Sequence, residues 1–173
     1  ICGEAPKFQS LMRKLEKTLA GTGLDGVYMD MISCATQGGR CFNPHHKHAP
    51  GGGTHRIDGY RDYVGKVRKD NPGFLLSSEA TSEAYVDLFD AFIVIYSSWE
   101  RTFSGLLPVS EPVPAVSVIY RGAAVPFGSF ATPSGLPPWD PKWGRSQDVP
   151  DVEKIVAKFP DQFAVEFARG IVW

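Results

Sequence analysis

The chain has 173 residues, of which 43% are hydrophobic and 21% are charged, with a formal net charge of -1. This composition is typical of a globular domain, and the charge gives no reason to expect nucleic acid or an anionic membrane as a partner. No apolar run reaches the roughly 18 residues of a spanning helix, and no basic-then-apolar leader is visible. Three cysteines do not make a disulfide framework, so we expect the hydrophobic core to hold the fold together.

The first half of the chain alternates amphipathic helices with short apolar runs. Residues 8–19 have helical spacing, with an apolar face formed by Phe8, Leu11, Leu15 and Leu19. The run 24–32 that follows predicts a buried strand. Helical spacing returns over residues 57–67, and residues 73–79 predict a second strand. A helix followed by a glycine turn and a buried strand is the repeating unit of a parallel α/β sheet.

The second half continues this pattern less regularly. It predicts a short helix at 82–89 and strands at 91–96 and 114–120. Residues 121–150 have the composition of a loop. Two helical segments then lead to the opening of a further strand at 171–173.

The alternation predicts the α/β class and, more narrowly, a partial (β/α)8 TIM barrel. A complete barrel takes about 250 residues, and four strands with a fifth begun make about half of one. Because natural proteins avoid open sheet edges, we expect residues 1–173 to be a fragment of a single barrel domain. It would hold roughly strands four to seven with the start of strand eight, and the parent protein would supply the rest. The alternative is a complete small α/β domain with an open sheet.

Two acidic residues stand at the ends of predicted strands. Asp30 follows the first strand and Glu79 ends the second, on the face where barrels hold their active sites. Glycoside cleavage needs one carboxylate at the anomeric carbon and one carboxylic acid to protonate the leaving oxygen. We predict that Asp30 and Glu79 are this catalytic pair, and a separation of about 5–6 Å on neighbouring strands would favour retention. The alternative role for either residue is to cap a turn.

The loop at 33–56 contains all four histidines and two of the cysteines. Its spacing matches no standard zinc ligand set, so we expect no metal and no cofactor. Neutral imidazoles suit sugar hydroxyls, because each offers one donor and one acceptor, and we predict that His46 and His48 bind substrate. Two alternatives remain open: a solvated loop without function, and a metal-dependent barrel hydrolase that uses these histidines and Asp30.

Three more residues are predicted to contact a carbohydrate. Glu83 lies one helical turn after Glu79 and could orient it or bind a hydroxyl. Trp99 and Tyr120 stand at or just past strand ends, where an aromatic ring could stack on a sugar, although strand aromatics more often belong to the core.

Several runs together resemble a known family. They are GLDGVYMDMISC (23–34), CFNPHHKHAPGGG (41–53), the segment 57–92, and more weakly VPAVSVIYRGAAVPFG (113–128) and FARGIVW (167–173). They resemble bacterial glycoside-hydrolase-like barrel proteins of unknown function, distantly related to the endo-α-N-acetylgalactosaminidases and α-galactosidases. The resemblance covers most of residues 1–130 and 161–173.

The resemblance implies roles for particular residues. Asp30 matches the expected nucleophile and Glu79 the expected general acid/base, which implies a retaining glycosidase acting on an α-linked sugar. Cys41, His46 and His48 match the family's signature loop, for which we infer substrate binding. The expected partners are a carbohydrate substrate and the remaining barrel strands. A non-catalytic carbohydrate-binding remnant is the third possibility, because half of the barrel is missing from the predicted elements.

Overall fold

The computed structural model describes residues 1–34, 39–93 and 115–128. The chain divides into two compact units, Ile1–Phe92 and Ile93–Trp173, and each is described by itself. The elements in chain order are α1 (Pro6–Ala20), β1 (Gly26–Met29), α2 (His55–Asp70), β2 (Leu75–Glu79), a single 3-10 turn (Glu83–Tyr85), β3 (Ala91–Ile93), α3 (Ala115–Ile119) and β4 (Val125–Phe127). None of the helices in the described ranges is long and apolar enough to cross a membrane.

The two long helices begin and end where the sequence supplies the right residues. Pro6 occupies the first turn of α1, where its missing N–H costs nothing, and Gly21 follows the last residue. In α2, the acidic Asp58 lies in the first turn and two basic residues lie in the last, which suits the helix dipole. Gly73, with φ of 82°, then turns the chain into β2.

The sheet of the first unit has the strand order β1-β2-β3. β1 and β2 are parallel, with Gly26 opposite Leu75 and Met29 opposite Ser78. The core contains side chains from both strands, from α2 and from the segment after β2, namely Met29, Tyr63, Val64, Val67, Leu76, Tyr85, Phe89 and Phe92. Parallel strands joined by a covering helix confirm the predicted α/β class.

The predicted apolar face of α1 is only partly buried. Leu11 is 66% exposed and Leu15 is 47% exposed, whereas Glu16 is 2% exposed. The helix instead packs through Phe8, whose ring contacts the rings of Tyr60 and Tyr63 on α2. The predicted apolar face of α1 therefore contacts α2 through Phe8, while Leu11 and Leu15 stay exposed in the first unit.

The later elements differ from the sequence prediction in two places. Residues 115–119 form helix α3 rather than a strand, and β4 at 125–127 lies in a segment expected to be a loop. Apolar runs of this length do not distinguish helix from strand by periodicity. Gly122, with φ of 89°, lies in the turn that follows the helix. The predicted helix at 82–89 is a single 3-10 turn. Residues 94–96 and the elements predicted after residue 128 lie outside the described ranges.

Candidate active site

The two predicted catalytic carboxylates lie at the same edge of the sheet. Met29 is opposite Ser78 in the parallel ladder, so the next residues along the two strands are Asp30 and Glu79. Neighbouring strands lie about 4.8 Å apart, which brings both residues to adjacent positions at the carboxyl ends of β1 and β2. Strand alternation turns Met29 and Ser78 into the core, where they are 4% and 0% exposed, and leaves Asp30 and Glu79 on the opposite face.

Tyr28 shares that face and joins the site. Its hydroxyl donates to Oδ1 of Asp30 at 3.1 Å, an ordinary distance for two side chains two residues apart on one strand. Burial, the hydrogen bond to Asp30 and the charges of Asp30 and Glu79 all raise the pKa of Tyr28. The phenol therefore keeps its proton at neutral pH and remains a donor to the Asp30 carboxylate.

The pKa of Cys34 also depends on both carboxylates. Burial, followed by the charge of Glu79, a hydrogen bond with its side chain and the charge of Asp30, raises the pKa of the Cys34 thiol to about 11. The sulfur donates to the backbone oxygen of Glu79 at 3.4 Å. A protonated thiol is a poor nucleophile, so the Cys34 sulfur is poorly suited to nucleophilic attack at neutral pH.

Two buried serines connect the ends of the strands. The Ser78 hydroxyl donates to the backbone oxygen of Met29 at 2.6 Å and accepts from the backbone N–H of Ser33 at 3.1 Å. The Ser33 hydroxyl contacts the backbone oxygens of Glu79 and Ala80. These hydrogen bonds fix the chain on both sides of the carboxylate pair, and sequence analysis had not identified either serine.

The backbone is strained directly after each carboxylate. Met31, after Asp30, has φ of 62°, and Ala80, after Glu79, has φ of 54°. These are the non-glycine residues with positive φ in the described ranges, and such conformations cost about 1–3 kcal/mol each. The positive φ of Met31 and of Ala80 turns the chain away from the sheet directly after Asp30 and after Glu79, so both carboxylates stand at the edge of the sheet.

The two carboxylates have different surroundings. Asp30 is exposed, whereas Glu79 is half-buried and its Oε2 atom lies away from solvent without a hydrogen-bond partner. A buried oxygen without a hydrogen-bond partner is rare in folded proteins and is often found where a ligand binds. The pair therefore contains one accessible carboxylate and one half-buried carboxylate, whose Oε2 atom has no hydrogen-bond partner among the described residues.

The histidine loop forms a second group of side chains. Cys41, His46 and His48 converge with Cys2, and their ligand-type atoms all lie within 4.8 Å of one another. We call these four residues the Cys-His cluster. Their polar atoms face one another, and Asp30 is not among them. Cys2 had no role in the sequence prediction.

Three further residues were predicted to contact a sugar. Glu83 is exposed in the 3-10 turn, and Tyr120 follows α3 in the second unit. Trp99 lies outside the described ranges. Their proposed sugar contacts therefore stay predictions.

Comparison with known proteins identifies the family. Residues 1–131 match the family model described as "Domain of unknown function (DUF6259)". The chain belongs to this family. The match includes β1, β2, the carboxylate pair and the Cys-His cluster, so both groups of side chains lie within the DUF6259 region.

Two relatives of the DUF6259 chain have glycoside hydrolase names. A Bacteroides thetaiotaomicron protein named "Putative glycoside hydrolase" is 33% identical over 102 residues, which are 57% of this chain and 15% of that protein. A Monosiga brevicollis protein, "Putative glycoside hydrolase 22789", is 31% identical over 124 residues, 71% of this chain and 10% of its own length. The matched segment is thus a small part of each relative. No solved structure matches the chain.

A cavity of about 880 Å³ in the DUF6259 region is separate from the carboxylate pair. It lies along α1 and α2, and neither Asp30 nor Glu79 lines it. Two ion pairs cross its wall, Arg13 with Asp70 at 2.5 Å and Lys66 with Asp62. Partly exposed pairs of this kind contribute little to stability, and they leave the cavity without a concentrated charge of one sign.

Proposed function

We propose that this protein hydrolyses glycosidic bonds, with Asp30 as nucleophile and Glu79 as general acid/base. The observation that carries the proposal is the parallel register of β1 and β2, which puts the two carboxylates on adjacent positions at the carboxyl edge of the sheet. Glycoside hydrolase names on two relatives support the reaction class. The family resemblance supports an α-linked sugar as substrate.

The surroundings of the two carboxylates support this division of roles. A nucleophile must be accessible and correctly aimed, and Asp30 is exposed with one oxygen held by the Tyr28 hydroxyl. A general acid must reach the leaving oxygen from beside the nucleophile, and Glu79 stands on the neighbouring strand with its Oε2 atom shielded from solvent. Placement on neighbouring strands, about 4.8 Å apart, favours the short separation of retaining enzymes.

We also propose that the sheet is part of a (β/α)8 barrel. Leu75, 56% exposed, and Tyr28, 41% exposed, lie on the same face as the carboxylates. The exposed Leu11 and Leu15 on α1 form a second uncovered apolar surface. Further strands and helices of a barrel would cover both surfaces, and the sugar would enter over the carboxyl edge of the sheet.

The test is the steady-state kinetics of the full-length protein on a panel of 4-nitrophenyl α-glycosides that includes α-galactoside and α-N-acetylgalactosaminide. Glu79→Gln removes the proton donor and should lower kcat by about 10²–10⁴-fold. Asp30→Asn removes the nucleophile and should lower kcat at least as much. Both variants should keep the circular dichroism spectrum of the wild type, because neither side chain is fully buried.

Asp25→Asn is the matched control, because Asp25 is an exposed aspartate at the opposite end of β1. It should keep wild-type kcat. If folded Asp30→Asn cleaves the same glycosides as fast as the wild type, Asp30 is not the nucleophile and the proposal is wrong.

A further inference from the structure

The Cys-His cluster has the geometry of a metal site. The Sγ atom of Cys2 lies 3.4 Å from Nε2 of His48, and the Sγ atom of Cys41 lies 3.2 Å from Nδ1 of His46. Tetrahedral zinc, with bonds of about 2.0 Å to nitrogen and about 2.3 Å to sulfur, separates such atoms by about 3.5 Å. The observed pairs are therefore already near the spacing of zinc ligands.

We propose that Cys2, Cys41, His46 and His48 bind one zinc ion. Two thiolates and two imidazoles are a standard ligand set for structural zinc, and tetrahedral sites of sulfur and nitrogen ligands favour this metal. The four protein ligands fill the coordination sphere and leave no open position for water. The ion is therefore structural, and the site is distinct from the carboxylate pair.

Both histidines are held by a second set of contacts. Nδ1 of His48 donates to the backbone oxygen of Ala49 at 2.7 Å, which leaves the lone pair of Nε2 facing Cys2. Nε2 of His46 lies 3.2 Å from the Asn43 amide, and the same amide accepts the backbone N–H of His45 at 2.9 Å. Partners of this kind orient metal-binding imidazoles. When Nδ1 of His46 binds zinc, Nε2 carries the proton, so Nε2 would exchange its contact with the Asn43 NH2 group for an acceptor such as water.

Cys2 is placed by tight packing of the backbone before α1 on α2. A Cβ atom on Gly59 would lie 2.6 Å from the carbonyl carbon of Gly3, so these two glycines pack backbone to backbone. The Gln9 side chain donates to the backbone oxygens of Gly3 and Gly59, at 2.8 and 3.2 Å. The position of Cys2 is thus set by contacts that do not depend on the cluster.

The loop that supplies the other three ligands is also closed on itself. The backbone N–H of Gly51 donates to the backbone oxygen of Cys41 at 2.7 Å. The ring of His48 stacks on His55, the first residue of α2, with centroids 4.1 Å apart. Two separately held segments, the one before α1 and this loop, therefore converge at the cluster.

The proposed site has a structural consequence. α2 connects two parallel strands, so it begins at the sheet edge where β1 ends and where Asp30 stands. Zinc would fasten the loop between β1 and α2 to the segment that precedes α1. A bound ion would also occupy the ring nitrogens and sulfur that the sequence analysis assigned to sugar hydroxyls.

The experiment measures metal in the full chain, purified under reducing conditions, supplied with zinc and desalted without chelator. Mass spectrometry of the elements should find one zinc ion per chain. Replacement by cobalt(II) should give the strong visible absorption of a tetrahedral ion and a thiolate charge-transfer band in the near ultraviolet. Both measurements use the wild-type chain, so they hold even if ligand variants fail to fold.

Single substitutions in and near the Cys-His cluster test which residues bind the ion. Cys2→Ser and His46→Asn should lose stoichiometric zinc, whereas Cys34→Ser and His45→Asn should retain it, because Cys34 and His45 lie outside the cluster. The proposal is overturned if the reconstituted wild type holds no zinc. A Cys2–Cys41 disulfide in the protein as purified without reductant, or full zinc content in folded Cys2→Ser, also overturns it.

Discussion

The carboxylate pair and the Cys-His cluster are assembled by different means. Asp30 and Glu79 are neighbours because two parallel strands pair in one register, and that register is fixed by the buried face of the sheet. The cluster instead joins a loop to a residue that precedes α1, and no repeating pattern relates the two. The position of residues at strand ends can therefore be predicted from the sequence. The meeting of a loop with a distant residue cannot, because it depends on tertiary contacts.

The supporting contacts differ in the same way. Buried serine hydroxyls brace the ends of β1 and β2, while glycine packing on α2 holds Cys2. The two regions should therefore respond separately to substitutions in their own supports.

The largest stability effect is expected at Gly59. In Gly59→Ala the new methyl group meets backbone atoms of Gly3 and Glu4 at 2.6 Å, which should destabilise the fold by about 3 kcal/mol and weaken zinc binding. Gly65→Ala is the control on the same helix, because the added Cβ atom would lie 4.0 Å from Leu88, an ordinary contact distance. Alanine also favours a helix over glycine by up to about 1 kcal/mol. Urea unfolding and zinc content measure both. Equal stability of the two variants would mean that the close approach of Gly3 and Gly59 does not hold Cys2.

Ser78→Ala should act on the carboxylate pair. It removes the hydroxyl between the Met29 oxygen and the Ser33 N–H, at a cost of about 2 kcal/mol in unfolding free energy. Because Ser78 positions the strand ends without contacting substrate, kcat should fall while KM changes little, and zinc content should stay the same. Ser77→Ala loses a single 3.3 Å hydrogen bond and should cost less stability. A loss of zinc in Ser78→Ala would contradict the independence of the two regions.

The smallest effect is expected at Glu16, which touches neither region. This carboxyl is buried between α1 and α2, where Tyr63 donates to it at 3.3 Å and one oxygen lacks a partner. Burial raises the pKa of Glu16, so the folded state keeps the proton to higher pH than the unfolded chain does. Its contribution to stability is therefore lost as pH rises from near the ordinary value of 4.5 through the raised pKa.

Glu16→Gln removes this charge and should stabilise the protein at pH 7 by about 1 kcal/mol. Between pH 4 and 7, the midpoint temperature of thermal unfolding should fall less steeply with rising pH in Glu16→Gln than in the wild type. Zinc content and kcat should not change. An unaltered pH dependence would show that Glu16 is not buried as a charged group.

Much of the first unit was predictable because its signals are local and periodic. Helices α1 and α2 and strands β1 and β2 lie where the spacing of apolar residues and the glycine turns put them. The helix at 115–119 was missed, because short apolar runs lack a clear period. The exposure of Leu11 is not evident from its place on an apolar face, because burial depends on which neighbour packs against the helix.

The two candidate sites also differ in how far the sequence predicted them. The carboxylates followed from their positions at strand ends, and the DUF6259 match agrees with the family resemblance in its coarse form. Cys2 could not be predicted, because it reaches the histidine loop only through the folded packing of Gly3 on Gly59. The hydrogen bonds of Ser33 and Ser78 could not be predicted either, because the sequence does not show which serine near a strand end bridges two strands.

The central claim is that Asp30 attacks the sugar. The most direct measurement incubates the full-length protein with the 5-fluoro glycosyl fluoride of whichever sugar its aryl glycoside assay favours, followed by peptide mass mapping. A retaining mechanism predicts one trapped sugar per chain, attached to Asp30 in the peptide that contains β1 and absent from Asp30→Asn. A label on another carboxylate, or turnover that releases the inverted anomer without any label, would contradict the account.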